Sequence, residues 1–127
     1  GDIDGEAAAD YSGKSVSFNE DNTIMAVGAP NNDGTATDAG QVRVYKYMSG
    51  SWIKLGQDIN GEAAGDYFGE SVSLSSDGKT LAIGVSWDNS GGDENVGLLK
   101  IYNWDGNNWN QLGSNINGQG ANDRFGY

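Results

Sequence analysis

The chain repeats itself after about 56 residues, and this periodicity constrains its fold more than any other feature. Residues 2–13 align with residues 58–69 without a gap. One additional residue in a later loop changes the spacing to 57, which aligns Trp52 with Trp109. A further copy begins at Ile116. The sequence therefore predicts tandem units of one structure: unit 1 over 1–56, unit 2 over 57–113 and the beginning of unit 3 over 114–127.

Each unit is predicted to form four short β-strands. In unit 1 these are 15–18, 24–29, 41–47 and 52–55. Apolar and polar residues alternate in short runs, and Gly, Asn and Asp fill the gaps between them, which is typical of strands joined by tight turns. No segment keeps a helical period of 3.6 residues. The predicted class is therefore all-β.

Four antiparallel strands that recur at this period favour the blade of a β-propeller. A two-layer sandwich with one sheet per unit, and a β-solenoid, are the alternatives. Only 36% of the residues are hydrophobic, so each unit is expected to bury its apolar face against a neighbour. Two units and part of a third cannot close a ring, so the sequence predicts blades that are incomplete in one chain. Further blades would come from a longer chain or from other copies.

Charge and composition argue against several functions. The net charge of -11 opposes contact with a phosphate backbone, so nucleic-acid binding is not expected. No apolar run approaches the roughly 18 residues of a membrane span, and membrane insertion is not expected either. The absence of Cys and His removes thiol nucleophiles, their zinc sites and every His-based catalytic triad. The chain is therefore not expected to be an enzyme.

One motif resembles a known repeat family. Gly-Asp-Tyr-Phe-Gly-Glu-Ser-Val-Ser-Leu over 65–74, followed by Leu-Ala-Ile-Gly over 81–84, is similar to the FG-GAP repeat, and Gly-Ala-Pro at 28–30 matches the second half of its signature. The resemblance implies the β-propeller found in the head of integrin α chains, and a secreted or cell-surface protein of adhesion or recognition. Unit 1 departs from the motif because Ser12 replaces Phe.

Two polar loops concentrate oxygen atoms that could bind calcium. Their candidate ligands are Asp33 and Asp38 in unit 1, and Asp88 and Asp93 in unit 2. Calcium takes six to eight oxygen ligands, and each loop offers two carboxylates. The alternative is a solvated turn in which Asp and Asn side chains bond to their own backbone. In the resembled family, calcium often binds between the first two strands, where this chain has only a short turn.

Aromatic and acidic residues give further candidates. Trp87 lies in a predicted loop, where the other copy has Asn31, and is the best candidate for an exposed binding contact. The other aromatic residues lie mostly on predicted strands and are expected to pack between blades. The acidic pairs recur once per unit, which favours a structural role over acid–base catalysis. These pairs are Glu6 with Asp10, and Glu62 with Asp66.

These observations lead to one expected function and one alternative. The chain is expected to be a non-enzymatic, extracellular structural or adhesion module that assembles with further blades, supplied by the same chain or by other copies, with a filament as one possible product. Its expected partners are other repeats of its own kind, with glycans or surface proteins as further candidates. The alternative is a lectin-like or calcium-dependent binding propeller.

Overall fold

The computed structural model describes residues 2–85 and 97–119, and the confirmed class is all-β. No helix that could cross a membrane occurs in these two ranges. The first sheet contains β1 (Ser15–Phe18), β2 (Ile24–Ala29), β3 (Gln41–Met48), β4 (Ser51–Lys54) and β5 (Ile59–Asn60). The second sheet contains β6 (Ser71–Leu74), β7 (Thr80–Val85), β8 (Leu98–Trp104), β9 (Trp109–Gln111) and β10 (Ile116–Asn117).

Both sheets are antiparallel and follow the same order. In the first, β1, β2, β3 and β4 lie side by side, and β5 pairs with β3 beyond the end of β4. In the second, β6, β7 and β8 follow one another, and both β9 and β10 pair with β8. Each sheet is thus a blade of four strands in chain order, as the sequence predicted, with a fifth short segment beside its third strand.

The fifth segment arises because the outermost strand is interrupted by a glycine. Gly56 has a φ of 80°, and Gly113 at the equivalent position has a φ of 74°. This left-handed conformation favours glycine and breaks the ladder between β4 and β5, and between β9 and β10. The chain then resumes pairing with the same neighbour for two residues. The strands predicted from the sequence did not include these two segments.

The two sheets contact each other through equivalent strands. On the inner side, the Ser15 hydroxyl donates to the carbonyl of Gly69 over 2.7 Å, and the backbone N–H of Leu74 donates to Ser17 Oγ over 3.0 Å. Gly28 allows this approach, because a Cβ at that position would overlap the Gly69 carbonyl oxygen. First strand therefore lies against first strand, which is the arrangement of neighbouring propeller blades and not of two sheets crossed at right angles.

The outer strands of the two sheets meet at Trp109. Its indole N–H donates to the carbonyl of Leu55 over 3.0 Å. The side-chain amide of Gln57 accepts from the backbone N–H of Trp109 over 2.9 Å and donates to its carbonyl over 2.7 Å. Gln57 thus provides hydrogen-bond partners for the backbone N–H and carbonyl of Trp109, and Leu55 provides one for its indole. The Trp109 side chain is only 2% exposed.

Apolar residues from both units form one core between the sheets. Its fully buried side chains come from the middle strands of each sheet and from the connector that precedes β6. Dispersion and removal of apolar surface from water therefore hold the units together, in the manner of a repeat protein. The largest fully buried members are Phe68, Leu81, Ile83, Val42 and Val44.

The connector before β6 also binds the long polar loop of unit 1. The backbone N–H of Phe68 donates to the Ala39 carbonyl over 3.0 Å, and that of Tyr67 donates to the Asp38 carbonyl over 3.1 Å. Gly40, with a φ of 86°, lies against Phe68 where a Cβ would overlap its backbone. These contacts fix the loop between β2 and β3 relative to the second sheet.

We expect the two equivalent tryptophans to differ sharply in their contribution to stability. Trp109→Ala removes a buried indole and leaves the Leu55 carbonyl without its donor, and should lower the free energy of unfolding by about 3–5 kcal/mol. Trp52→Ala is the matched control at the same repeat position, where the side chain is only partly covered, and should cost about 1–2 kcal/mol. Equilibrium urea unfolding measures both, and equal losses would contradict this packing.

Candidate interaction surfaces

The outward side of the first sheet carries a cluster of exposed apolar side chains. Ser15 and Ser17 point toward unit 2, so the alternation of a strand turns Val16 and Phe18 to the opposite side. Phe18 is 46% exposed, and its ring lies 6.1 Å from that of Trp52, measured between centroids. We call the surface formed by Val16, Phe18, Tyr47 and Trp52 the open face.

The equivalent surface of unit 2 packs against unit 1, where Trp109 is buried and its neighbours are partly buried. Val72 and Leu74, which align with Val16 and Phe18, pack on the shared core. Trp104 and Trp109 keep the ring separation of 5.3 Å that Tyr47 and Trp52 show in unit 1. The open face therefore has the composition and geometry of a surface that this protein covers elsewhere with another unit.

The opposite end of the chain presents the matching edge. Leu112 aligns with Leu55, whose carbonyl accepts the Trp109 indole N–H, and it is 57% exposed. Ile116 aligns with Ile59 of β5, which is 4% exposed in the first sheet, yet Ile116 itself is 49% exposed. We call the segment 112–116 the outgoing edge. One of its residues departs from the pattern, since Ser114 aligns with Gln57, which lies between β4 and β5 of the first sheet.

A groove of about 360 Å³ lies at the junction of the two units. Equivalent residues of the two units line this groove. Each unit contributes a tyrosine and, three residues later, a charged residue. The groove thus combines two aromatic rings with one cationic and one anionic side chain, next to the chain that leaves β2. Its lining residues are Tyr11, Lys14, Pro30, Asn31, Tyr67 and Glu70.

Two equivalent turns place these tyrosines. The carbonyl of Tyr11 accepts from the N–H of Lys14 over 3.0 Å, and that of Tyr67 accepts from the N–H of Glu70 over 3.2 Å. Both tyrosines have a φ of 54°, a left-handed conformation that is costly for a bulky residue. The same strain in both copies shows that the turn geometry belongs to the repeat, and strain of this kind often accompanies binding sites.

The acidic pairs identified in the sequence form structural contacts. Glu6 pairs with Arg43 and Glu62 with Lys100, the two cations occupying equivalent positions on β3 and β8. Asp66 Oδ2 accepts from the N–H of Ala63 over 3.1 Å and so closes the turn of the connector. Asp10 is also buried, and accepts from the side-chain amide of Asn32 over 3.0 Å.

The candidate calcium ligands of unit 1 take part in hydrogen bonds within their own loop. Asp33 Oδ1 accepts from the backbone N–H of Asp38 over 2.8 Å, and Asp38 Oδ1 accepts from the Asn31 amide over 3.0 Å. No group of three or more metal-ligating side chains occurs in the described ranges. The assignment of calcium to these residues stays a prediction. The remaining candidates, Asp88, Asp93 and Trp87, lie outside the described residues.

Asp58 joins the connector of unit 2 to unit 1 by ion pairs. It accepts from Arg43 over 3.0 Å and from Lys54 over 2.7 Å. Burial opposes its ionisation, but the hydrogen bonds and positive charges of Lys54 and Arg43 outweigh burial and hold the pKa of Asp58 below its usual value. Its ionised form is therefore more stable in the folded protein than in the unfolded chain.

We expect this carboxylate to make folding stability depend on pH. A lowered pKa contributes stability above the unfolded pKa, and this contribution is lost as the pH falls through the folded pKa. Asp58→Asn should lower the free energy of unfolding by about 1 kcal/mol at neutral pH, since the group is partly exposed, and by much less at about pH 3. Urea unfolding at the two pH values measures this difference, and a loss that does not shrink at acid pH would contradict the assignment.

The model of a known protein family matches part of this chain. No curated protein matches the sequence. The family model of the FG-GAP repeat matches residues 60–98, a segment that contains the connector, the turn from Tyr67 to Glu70, and strands β6 and β7. The all-β blade agrees with this match, which is consistent with an FG-GAP-like repeat over these residues.

Proposed function

We propose that this chain is a non-enzymatic, extracellular structural and adhesion module whose repeat units assemble with further blades of their own kind. One observation carries the proposal: the open face of unit 1 is the counterpart of a unit 2 face that is buried between units. The occupant that fits this face best is the outgoing edge of a second copy, because that edge aligns with the segment that covers Trp109.

The extracellular and adhesive parts of the proposal have separate support. The FG-GAP repeat suggests a propeller-like module of extracellular proteins. A net charge of -11 favours solubility and contact with basic partners. The sequence contains neither Cys nor His, which supports a role without nucleophilic or metal-hydrolytic chemistry.

Contacts between copies can be derived from those inside the chain. The indole N–H of Trp52 would donate to the carbonyl of Leu112 in the second copy, as Trp109 donates to Leu55. The N–H of Phe18 would donate to Ser73 Oγ, as Leu74 donates to Ser17. The innermost strands of the two copies would contact each other as β1 contacts β6, and the outermost strands would meet as they do at Trp109. The same rotation and translation would therefore relate units within a chain and between chains.

The contact between copies should be weaker than the contact inside the chain. Gln57 bonds to both the N–H and the carbonyl of Trp109, whereas Ser114 is too short to bond both groups of Trp52. The negative charge of each copy also opposes association until salt screens it. A head-to-tail contact closes into a ring or extends into a fibre according to its rotation, and three copies would supply six units.

We expect substitutions at the two surfaces to change self-association in opposite directions. Trp52→Ala should weaken concentration-dependent association at least about tenfold, because it removes the central aromatic residue of the open face. Ser114→Gln should strengthen association by about tenfold, since it supplies to Trp52 of the second copy the amide that Gln57 provides to Trp109. Sedimentation equilibrium at physiological ionic strength measures both.

Two matched controls make this test specific. Ile53→Ala changes an exposed residue that neighbours Trp52 but lies outside the open face, and Ser114→Thr adds bulk without an amide. Neither should change association by more than about twofold, within the size of ordinary surface substitutions. A strictly monomeric chain at high concentration, or equal effects of Ser114→Gln and Ser114→Thr, would refute stacking between copies.

A further inference from the structure

We infer that the groove at the junction of units 1 and 2 is a binding site for a neutral saccharide of one or two rings. Its lining residues lie outside the open face, which consists of Val16, Phe18, Tyr47 and Trp52. Neither unit forms it alone, because Tyr11 and Lys14 come from unit 1, and Tyr67 and Glu70 come from unit 2. Packing of the two units is therefore what creates the site.

The aromatic residues fit the apolar face of a sugar ring. Tyr11 is 63% exposed at the rim of the groove, and Tyr67 is partly buried beside it. A tyrosine offers a flat apolar surface for C–H groups together with a hydroxyl that can form hydrogen bonds, and it loses little conformational freedom on binding. Both rings stand on turns closed by backbone hydrogen bonds, which holds the turns in the same conformation before a ligand arrives.

The polar groups of the groove fit hydroxyl groups. The Lys14 ammonium can only donate, the Glu70 carboxylate can only accept, and the Asn31 side chain can do both. Asn31 already donates to Asp38 over 3.0 Å, which fixes the orientation of its amide. Each hydroxyl of a pyranose can both donate and accept a hydrogen bond. Adjacent hydroxyls can therefore bond to all three side chains, although the sugar carries no charge.

The electrostatics favour a neutral ligand over an ion. The groove holds one positive and one negative side chain, so it has no charge preference of its own. An ion of either sign would meet a like charge in the groove, since Glu70 opposes an anion and Lys14 opposes a cation. The volume of about 360 Å³ lies near the lower limit of small-molecule sites and suits one or two sugar rings.

The inference is tested by titrating isotope-labelled protein with defined sugars and following the backbone amide signals by NMR. The probes are methyl α-mannopyranoside, methyl β-galactopyranoside, N-acetylglucosamine and cellobiose. At least one should cause saturable shifts confined to residues 11–14, 30–31 and 67–70. The dissociation constant should change less than about twofold between low and high salt, because no net charge is neutralised.

Glycine substitutions separate ring stacking from folding. Tyr11→Gly removes the ring and suits the left-handed φ of 54°, so the fold should be retained while binding weakens about tenfold, the effect of losing one stacked ring. Tyr67→Gly should act in the same direction. Tyr47→Ala, an exposed tyrosine of the open face, is the control and should leave the dissociation constant unchanged.

Three outcomes would overturn the inference. They are the absence of saturable shifts with all four sugars, unchanged affinity in Tyr11→Gly, and shifts of the groove residues only with a charged probe such as acetate or lysine methyl ester. Sedimentation of Tyr67→Gly keeps this test apart from stacking between copies. Tyr67 lies between the two units of one chain, so loss of sugar binding in this variant should leave self-association unaltered.

Discussion

The contact of Leu55 and Gln57 with Trp109 is the interaction on which the rest of the structure depends. Leu55 and Gln57 satisfy the indole and the free backbone of β9, and the buried ring completes the core between the sheets. A chain with only 36% hydrophobic residues cannot give each sheet its own two-sided core. Stability must come from contacts between units, as in other repeat proteins.

A repeat that is stabilised in this way creates surfaces at its ends. The apolar face that unit 2 buries recurs at Phe18 and Trp52, and the edge that covers it recurs at Leu112. Exposed apolar patches of this kind mark interaction sites. The same geometry places equivalent turns side by side, so the junction of two units forms a groove that neither has alone. The proposed assembly and the proposed ligand binding therefore both rest on this one packing arrangement.

The sequence could predict the blade but not the sites, for physical reasons. Alternation and turn residues identify strands such as β1 and β2, because strand periodicity is local in the chain. The two-residue strand β5 was missed because a left-handed glycine precedes it and only pairing with β3 defines it. The groove was missed because Tyr11 and Tyr67 are far apart in sequence. Their equivalent positions before a glycine were the available signal.

The most direct test of the account compares the exchange of the two equivalent indole protons with solvent. Trp109 is 2% exposed and its indole N–H donates to Leu55, so its proton should be protected nearly as strongly as the core amides and should show a nuclear Overhauser effect to Gly56. The Trp52 indole proton of the monomer should exchange rapidly. Rapid exchange at both tryptophans, or no contact between Trp109 and Gly56, would contradict adjacent and equivalent sheets.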